Sequence, residues 1–178
     1  MENFYRIKTE WLAELEDKSL AKAKTEELVR AVNYTDAEKL AYALVEKYDR
    51  AKFGSVSIEI IKTKISEIIC TPSLETEEET TAGLMCSFFS DASTTEVGLY
   101  QVKVVYTNVD EKSGKVKYSS EDIYVPAESS ADAVGLLNNY LQKMGEMRDY
   151  VVRRVSFDKV EAIYWSPEYY QKIVKFSE

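Results

Sequence analysis

Apolar and polar residues alternate with a period of two along Phe4-Tyr5-Arg6-Ile7-Lys8-Thr9-Glu10-Trp11, so Tyr5, Ile7, Thr9 and Trp11 share one face of a predicted strand. The same alternation returns 95 positions later, where Tyr100, Val102, Val104 and Tyr106 share a face. A polar segment follows each strand: Glu16-Asp17-Lys18-Ser19 in the first case, Asp110-Glu111-Lys112-Ser113-Gly114-Lys115 in the second. Gly114 can supply the positive φ of a hairpin turn. The returning strands are Thr25-Glu26-Glu27-Leu28-Val29-Arg30-Ala31 and Glu121-Asp122-Ile123-Tyr124-Val125-Pro126-Ala127, now offset by 96, so the second hairpin has gained one residue. Pro126 has no amide to give a ladder and belongs at a strand end or edge.

Each half continues into a helix. Asn33 or Thr35 is placed to cap the first, Ser129 or Ser130 the second. Leu40, Ala41, Leu44 and Val45 form one apolar stripe, and Val134, Leu137, Tyr140, Leu141 and Met144 the other. Third strands are expected near 56–61 and 150–155. The motif behind them, Lys64-Ile65-Ser66-Glu67-Ile68 and Lys159-Val160-Glu161-Ala162-Ile163, restores the offset of 95.

Shared order and near-constant spacing imply an internally duplicated ββαβ unit. The expected fold class is α+β: a mostly antiparallel sheet backed by two helices, with a pseudo-two-fold relation between halves. The expected organisation is a first repeat at 1–69, an acidic insertion at 70–98, a second repeat at 99–165 and an aromatic extension at 166–178, forming one compact domain. A repeat of roughly seventy residues buries a marginal core by itself, and pairing two copies enlarges it.

Charge sharpens the division. The net charge of -8 resolves into 12 basic against 13 acidic side chains over 1–69, none against 6 over 70–98, and 11 against 12 over 99–178. The acidity therefore belongs to the insertion. Its Pro-, Thr- and Glu-rich part, 71–82, is expected to be mobile and dispensable for folding. The N-terminus lacks a basic start followed by an apolar run, and no stretch approaches the ~18 apolar residues of a membrane span. A cytoplasmic protein with no membrane partner is expected, and Cys70 and Cys86 read as free structural thiols rather than a disulfide.

The strand Tyr100-Gln101-Val102-Lys103-Val104, the turn Asp110-Glu111-Lys112-Ser113-Gly114-Lys115, the strand end Val125-Pro126-Ala127 and the following helix resemble a domain-of-unknown-function family of anaerobic gut bacteria and their phages. Leu28-Val29-Arg30-Ala31 and Lys64-Ile65-Ser66-Glu67-Ile68 extend the likeness to the first half. The insertion at 70–98 is longer than in that family's pattern. The resemblance implies a fold of two ββαβ repeats and carries no activity with it.

Candidate chemistry is sparse. The sequence has no histidine, which removes the commonest neutral-pH acid or base and every histidine-dependent triad or zinc site. No phosphate-cradling glycine motif occurs among the 6 glycines. Glu75, Glu77, Glu78 and Glu79 lack the ligand spacing of a calcium loop. No catalytic, cofactor or metal residues are expected.

Two binding readings remain. In the first, the apolar Leu84, Met85, Phe88 and Phe89 in the acidic insertion either fold onto the core or dock a protein partner. In the second, Arg6, Lys8, Lys103, Lys115 and Lys117 with Tyr118 and Tyr124 form a basic and aromatic sheet face for single-stranded nucleic acid. The acidic insertion would then compete for that face as a phosphate mimic. The C-terminal aromatics from Tyr164 to Phe176 either cap the core or make a subunit contact in a homo-oligomer. The expected function is a non-catalytic binding protein with a protein partner; nucleic acid is the alternative.

Overall fold

The computed structural model describes residues 2–69, 78–80 and 82–171. It is a strand-rich α+β protein with two sheets. The elements are β1 (Asn3–Glu14), β2 (Leu20–Ala31), α1 (Tyr34–Lys47), β3 (Ser57–Lys62), β4 (Ile65–Ile68), β5 (Glu78–Thr80) and β6 (Gly83–Ser87), then β7 (Gly98–Val109), β8 (Val116–Ala127), α2 (Ser130–Lys143), β9 (Asp149–Asp158) and β10 (Ala162–Trp165). Residues 167–171 add a helical turn. The chain divides into two compact units: Met1–Thr63 with Glu75–Ser87 and Val160–Gln171, and Lys64–Leu74 with Phe88–Lys159 and Lys172–Glu178.

The first unit holds a six-stranded sheet in the order β3-β1-β2-β10-β6-β5. Tyr5, Ile7, Val29, Ala31, Ala162 and Tyr164 cluster with Ala37, Ala41 and Leu44 of α1, as the period-two and helical patterns require. Asn33 caps α1, its side-chain oxygen accepting from the Asp36 amide at 2.9 Å. The second unit holds a four-stranded sheet in the order β4-β8-β7-β9. Val102, Val104, Tyr106, Ile123 and Val125 pack against Ala133, Leu137 and Leu141 of α2, which Ser129 caps through the Asp132 amide at 3.1 Å.

Tyr5 lies opposite Val29, and Tyr100 opposite Val125. The shift from 95 to 96 sits in the turns. Glu14 pairs with Leu20, leaving 15–19, whereas Val109 pairs with Val116, leaving 110–115. Lys18 takes the left-handed conformation in the shorter turn, at φ 63°, and Gly114 takes it in the longer one, at φ 67°.

The two units do not follow the chain order expected from 1–69 and 99–165. The segments after β3 and β9, unassigned by periodicity, are short strands that pair parallel: β4 with β8, and β10 with β2. The strand that follows β3 thus lies in the second sheet, and the strand that follows β9 lies in the first. The expected insertion at 70–98 is divided as well. Its β5–β6 hairpin enters the first sheet, where β6 runs antiparallel to β10, while Phe88 onward belongs to the second unit. Cys70 and most of the segment expected to be mobile lie outside the described residues.

Candidate binding surface

On the face of the second sheet turned away from α2, the hairpin β7–β8 runs past both neighbours. β9 pairs with β7 only up to Thr107, and β4 pairs with β8 only at 122–124. The arm beyond carries Val109, Val116 and Tyr118 on this face, 62%, 49% and 72% exposed. Val105 and its β9 partner Val151 continue the strip toward the sheet, and Val151 is also exposed.

Where that strip meets the body of the sheet, β9 contains a bulge. Val152 pairs with Val104 and Arg154 with Lys103, so Arg153 is inserted between them. A bulge sets two residues against one and turns a side chain away from strict alternation. Val152 and Val155 keep to the α2 side, and Arg153 and Arg154 are both exposed opposite Lys103. Among the described residues, none of these three cations has a carboxylate within ion-pair distance, although Asp122 is the cross-strand partner of Lys103 on β8. Lys117, paired with Asn108, projects to the opposite face from Tyr118, and Lys115 lies in the turn. Tyr124 is 1% exposed and donates to the Asp158 carboxylate, so its ring is not offered to a ligand.

The first unit treats its cations differently. Arg6 donates to Glu26 at 2.9 Å and Lys8 lies 3.7 Å from the same carboxylate. On the other side, the register partner of Lys8 is Glu59. Leu84 and Met85 lie in β6 opposite Trp165 and Tyr164, and Met85 packs against the core beneath α1. Phe88 is buried and Phe89 exposed. The predicted apolar cluster is therefore divided: Leu84 and Met85 belong to a strand of the first sheet, and Phe88 and Phe89 follow it in the second unit, one ring buried and one exposed. Tyr169 of the C-terminal extension stacks under the Arg30 guanidinium at 3.5 Å and beside Phe4 and Trp165.

Inside the first unit lies a polar cluster that sequence patterning missed. Arg50 clamps Glu27 with two hydrogen bonds of 2.7 and 3.2 Å, although the residues are only 7% and 2% exposed. The Tyr164 hydroxyl donates to the same carboxylate at 3.1 Å and lies 3.2 Å from the Tyr48 hydroxyl. Burial, followed by the Glu27 charge, pushes the Tyr164 phenol far above its ordinary value. Arg50 also lies over the Trp11 and Tyr48 rings. The two charges pair here, with Arg50 Nε left without a hydrogen-bond partner among the described residues, and the pairing holds the end of α1 against the sheet.

In the second unit, burial raises the Glu67 carboxyl, a Tyr140 hydrogen bond opposes the rise, and the Glu121 charge adds to it. Among the described residues, no group of three or more cysteine or carboxylate side chains is arranged to hold a metal. A depression of about 220 Å³ beside Trp11 is smaller than ordinary ligand pockets, and Lys24 and Lys22 already engage its Glu10 carboxylate, at 3.1 and 3.7 Å.

The family model described as Domain of unknown function (DUF4494) matches residues 3–167, from the first strand to the turn after β10. The chain belongs to that family. No curated protein and no solved structure matches it. The matched span takes in both sheets, the arm and the bulge. Arg153 and Arg154 were not singled out by pattern; adjacent arginines inside an otherwise alternating strand were the available signal. No helix among the described residues is long and apolar enough to cross a membrane.

Proposed function

We propose that this chain is a non-catalytic intracellular binding protein of a bacterium or phage, built from two copies of one ββαβ unit in a pseudo-two-fold arrangement. Its partner is a protein. The observation that carries the reading is the apolar strip on the second sheet, where Val109, Val116 and Tyr118 stand exposed on an arm extending past the neighbouring strands. Folding gains nothing from leaving these groups in water, and a partner covering them removes apolar surface at about 25 cal/mol per Å². Pairing of Arg6 and Lys8 with Glu26 favours protein over single-stranded nucleic acid, because phosphate contacts there would first have to break ion pairs.

Cross-linking mass spectrometry on the tagged protein in its host is expected to give inter-protein links to Lys112, Lys115 and Lys117, lost in Tyr118→Ser and Val116→Asp. In parallel, a labelled single-stranded oligonucleotide is expected to show no anisotropy change at about 0.1 M salt. Oligonucleotide binding with a log-log salt slope of about -0.7 per contact, abolished by changes at Arg6, Lys8 and Lys103, would replace this reading with the nucleic-acid one.

A further inference from the structure

We propose that the outer edge of β9 takes up an acidic extended peptide as an added strand, with the cations at the bulge selecting its charge. This rests on the protein-binding reading and names the class of segment recognised. Two requirements of strand addition meet at one place. β9 is the edge of its sheet, hydrogen-bonded only to β7 among the described residues, so from Asp149 to Arg154 the backbone groups on its outer side are available to another strand.

The bulge then concentrates positive charge on the solvent face beside that edge. Arg153 and Arg154 stand against Lys103, and no carboxylate among the described residues lies within ion-pair distance of any of them. An edge strand bearing two arginines resists pairing with a copy of itself. Antiparallel self-pairing centred on Arg153 and Arg154 would set like charges opposite one another, which is destabilising. The same pair attracts a strand with carboxylates at alternate positions, and guanidinium groups hold carboxylates through two parallel hydrogen bonds.

Val151 and Val105 continue the face toward the tip, so an apolar side chain beyond the acidic positions has somewhere to sit. The preferred segment is therefore acidic over the bulge and aliphatic or aromatic next to it. A nucleic acid backbone would satisfy the cations but neither the open backbone edge nor the valines. The β3 edge of the first sheet differs: β3 pairs with β1 in unbroken register and places Glu59 opposite Lys8.

The test uses the full chain and a fluorescein-labelled decapeptide of alternating Glu and Val, with three comparison probes: the Lys and Val analogue, the acidic peptide N-methylated at alternate residues, and a poly-dT oligonucleotide. Fluorescence anisotropy at about 0.1 M salt is expected to show saturable binding of the acidic peptide only. Arg153→Glu/Arg154→Glu should weaken it at least about tenfold, and Arg153→Lys/Arg154→Lys should largely keep it, both with unchanged circular dichroism and melting. N-methylation leaves the charge intact but blocks the added ladder. Equal affinity for the methylated peptide would overturn strand addition, and tighter binding of poly-dT through the same arginines would overturn the peptide assignment. Failure of the acidic peptide while host cross-links still depend on Tyr118 and Val116 sinks this inference alone. Cross-links that persist unchanged in Tyr118→Ser and Val116→Asp, with peptide binding intact, sink the proposed use of the arm instead.

Discussion

At the residue scale, the Glu27–Arg50 pair shows how a buried charge is tolerated only in company. Removing one partner leaves the other dehydrated and alone, which typically costs about 3–5 kcal/mol, whereas replacing both with apolar groups of like volume is often close to neutral. Glu27→Leu is therefore expected to lower urea stability by about that amount, and adding Arg50→Met to recover most of it. The Tyr164 hydroxyl keeps Tyr48 as a neighbour in the double variant. A double-mutant cycle in urea decides the matter, and additive losses would mean the pair is not coupled.

Glu67 gives a pH prediction of opposite character. Its folded-state pKa is raised above the ordinary 4.5, chiefly by burial. The folded chain therefore holds this proton more tightly than the unfolded chain, and ionisation costs stability above the folded pKa. The cost fades as pH falls and is gone once pH lies below about 4.5, where both states are protonated. Glu67→Gln keeps an acceptor for Tyr140 and should melt higher than the parent at pH 7, with the gap closing below that value. A constant gap from pH 7 to pH 4 would contradict it.

At the scale of elements, caps and close approaches were set by residues visible in the sequence. Asn33 and Ser129 each satisfy an otherwise unpaired amide at a helix start. Asn33→Ala and Ser129→Ala should each cost about 1 kcal/mol in chemical denaturation. Gly83 is more demanding. At φ 123°, a Cβ there would meet the Trp165 carbonyl oxygen at 2.4 Å. Both atoms belong to the β6–β10 ladder, so Gly83→Ala must separate the strands or distort them. The expected result is loss of amide protection along 83–87 and 162–165 by hydrogen exchange, with α2 protected as before.

At the scale of the whole chain, the exchange of short strands ties each sheet to sequence far from its own hairpin. Ala162, Ile163, Tyr164 and Trp165 are all buried in the first unit, where β10 covers the side of β2 away from β1. A fragment ending at residue 74 lacks that strand and would leave the outer edge of β2 unpaired beside Leu28 and Val29. It is expected to give a poorly dispersed amide NMR spectrum, and dispersion matching the intact protein would show that β10 is dispensable.

The sequence by itself determined the local order: alternation set the long strands and which face of each meets a helix, the helix starts were narrowed to Asn33 or Thr35 and to Ser129 or Ser130, and the turn residues set the change of spacing from 95 to 96. These are short-range properties, in which side-chain period and backbone preference act within a few residues. The sequence also supplied the residues of the candidate surface without their arrangement, naming Lys103 and Tyr118 but also Tyr124, which is buried. Only tertiary structure decided the rest. β4 and β10 are four residues long, too short for a period to declare itself, and all of β10 is buried, so neither betrays its partner. The β9 bulge depends on the register between β7 and β9, a pairing across some fifty residues. The Glu27–Arg50 clamp needs a strand and a helix end to converge. Each is a contact between segments distant in the chain, and its energy depends on what lies opposite rather than on the residues beside it.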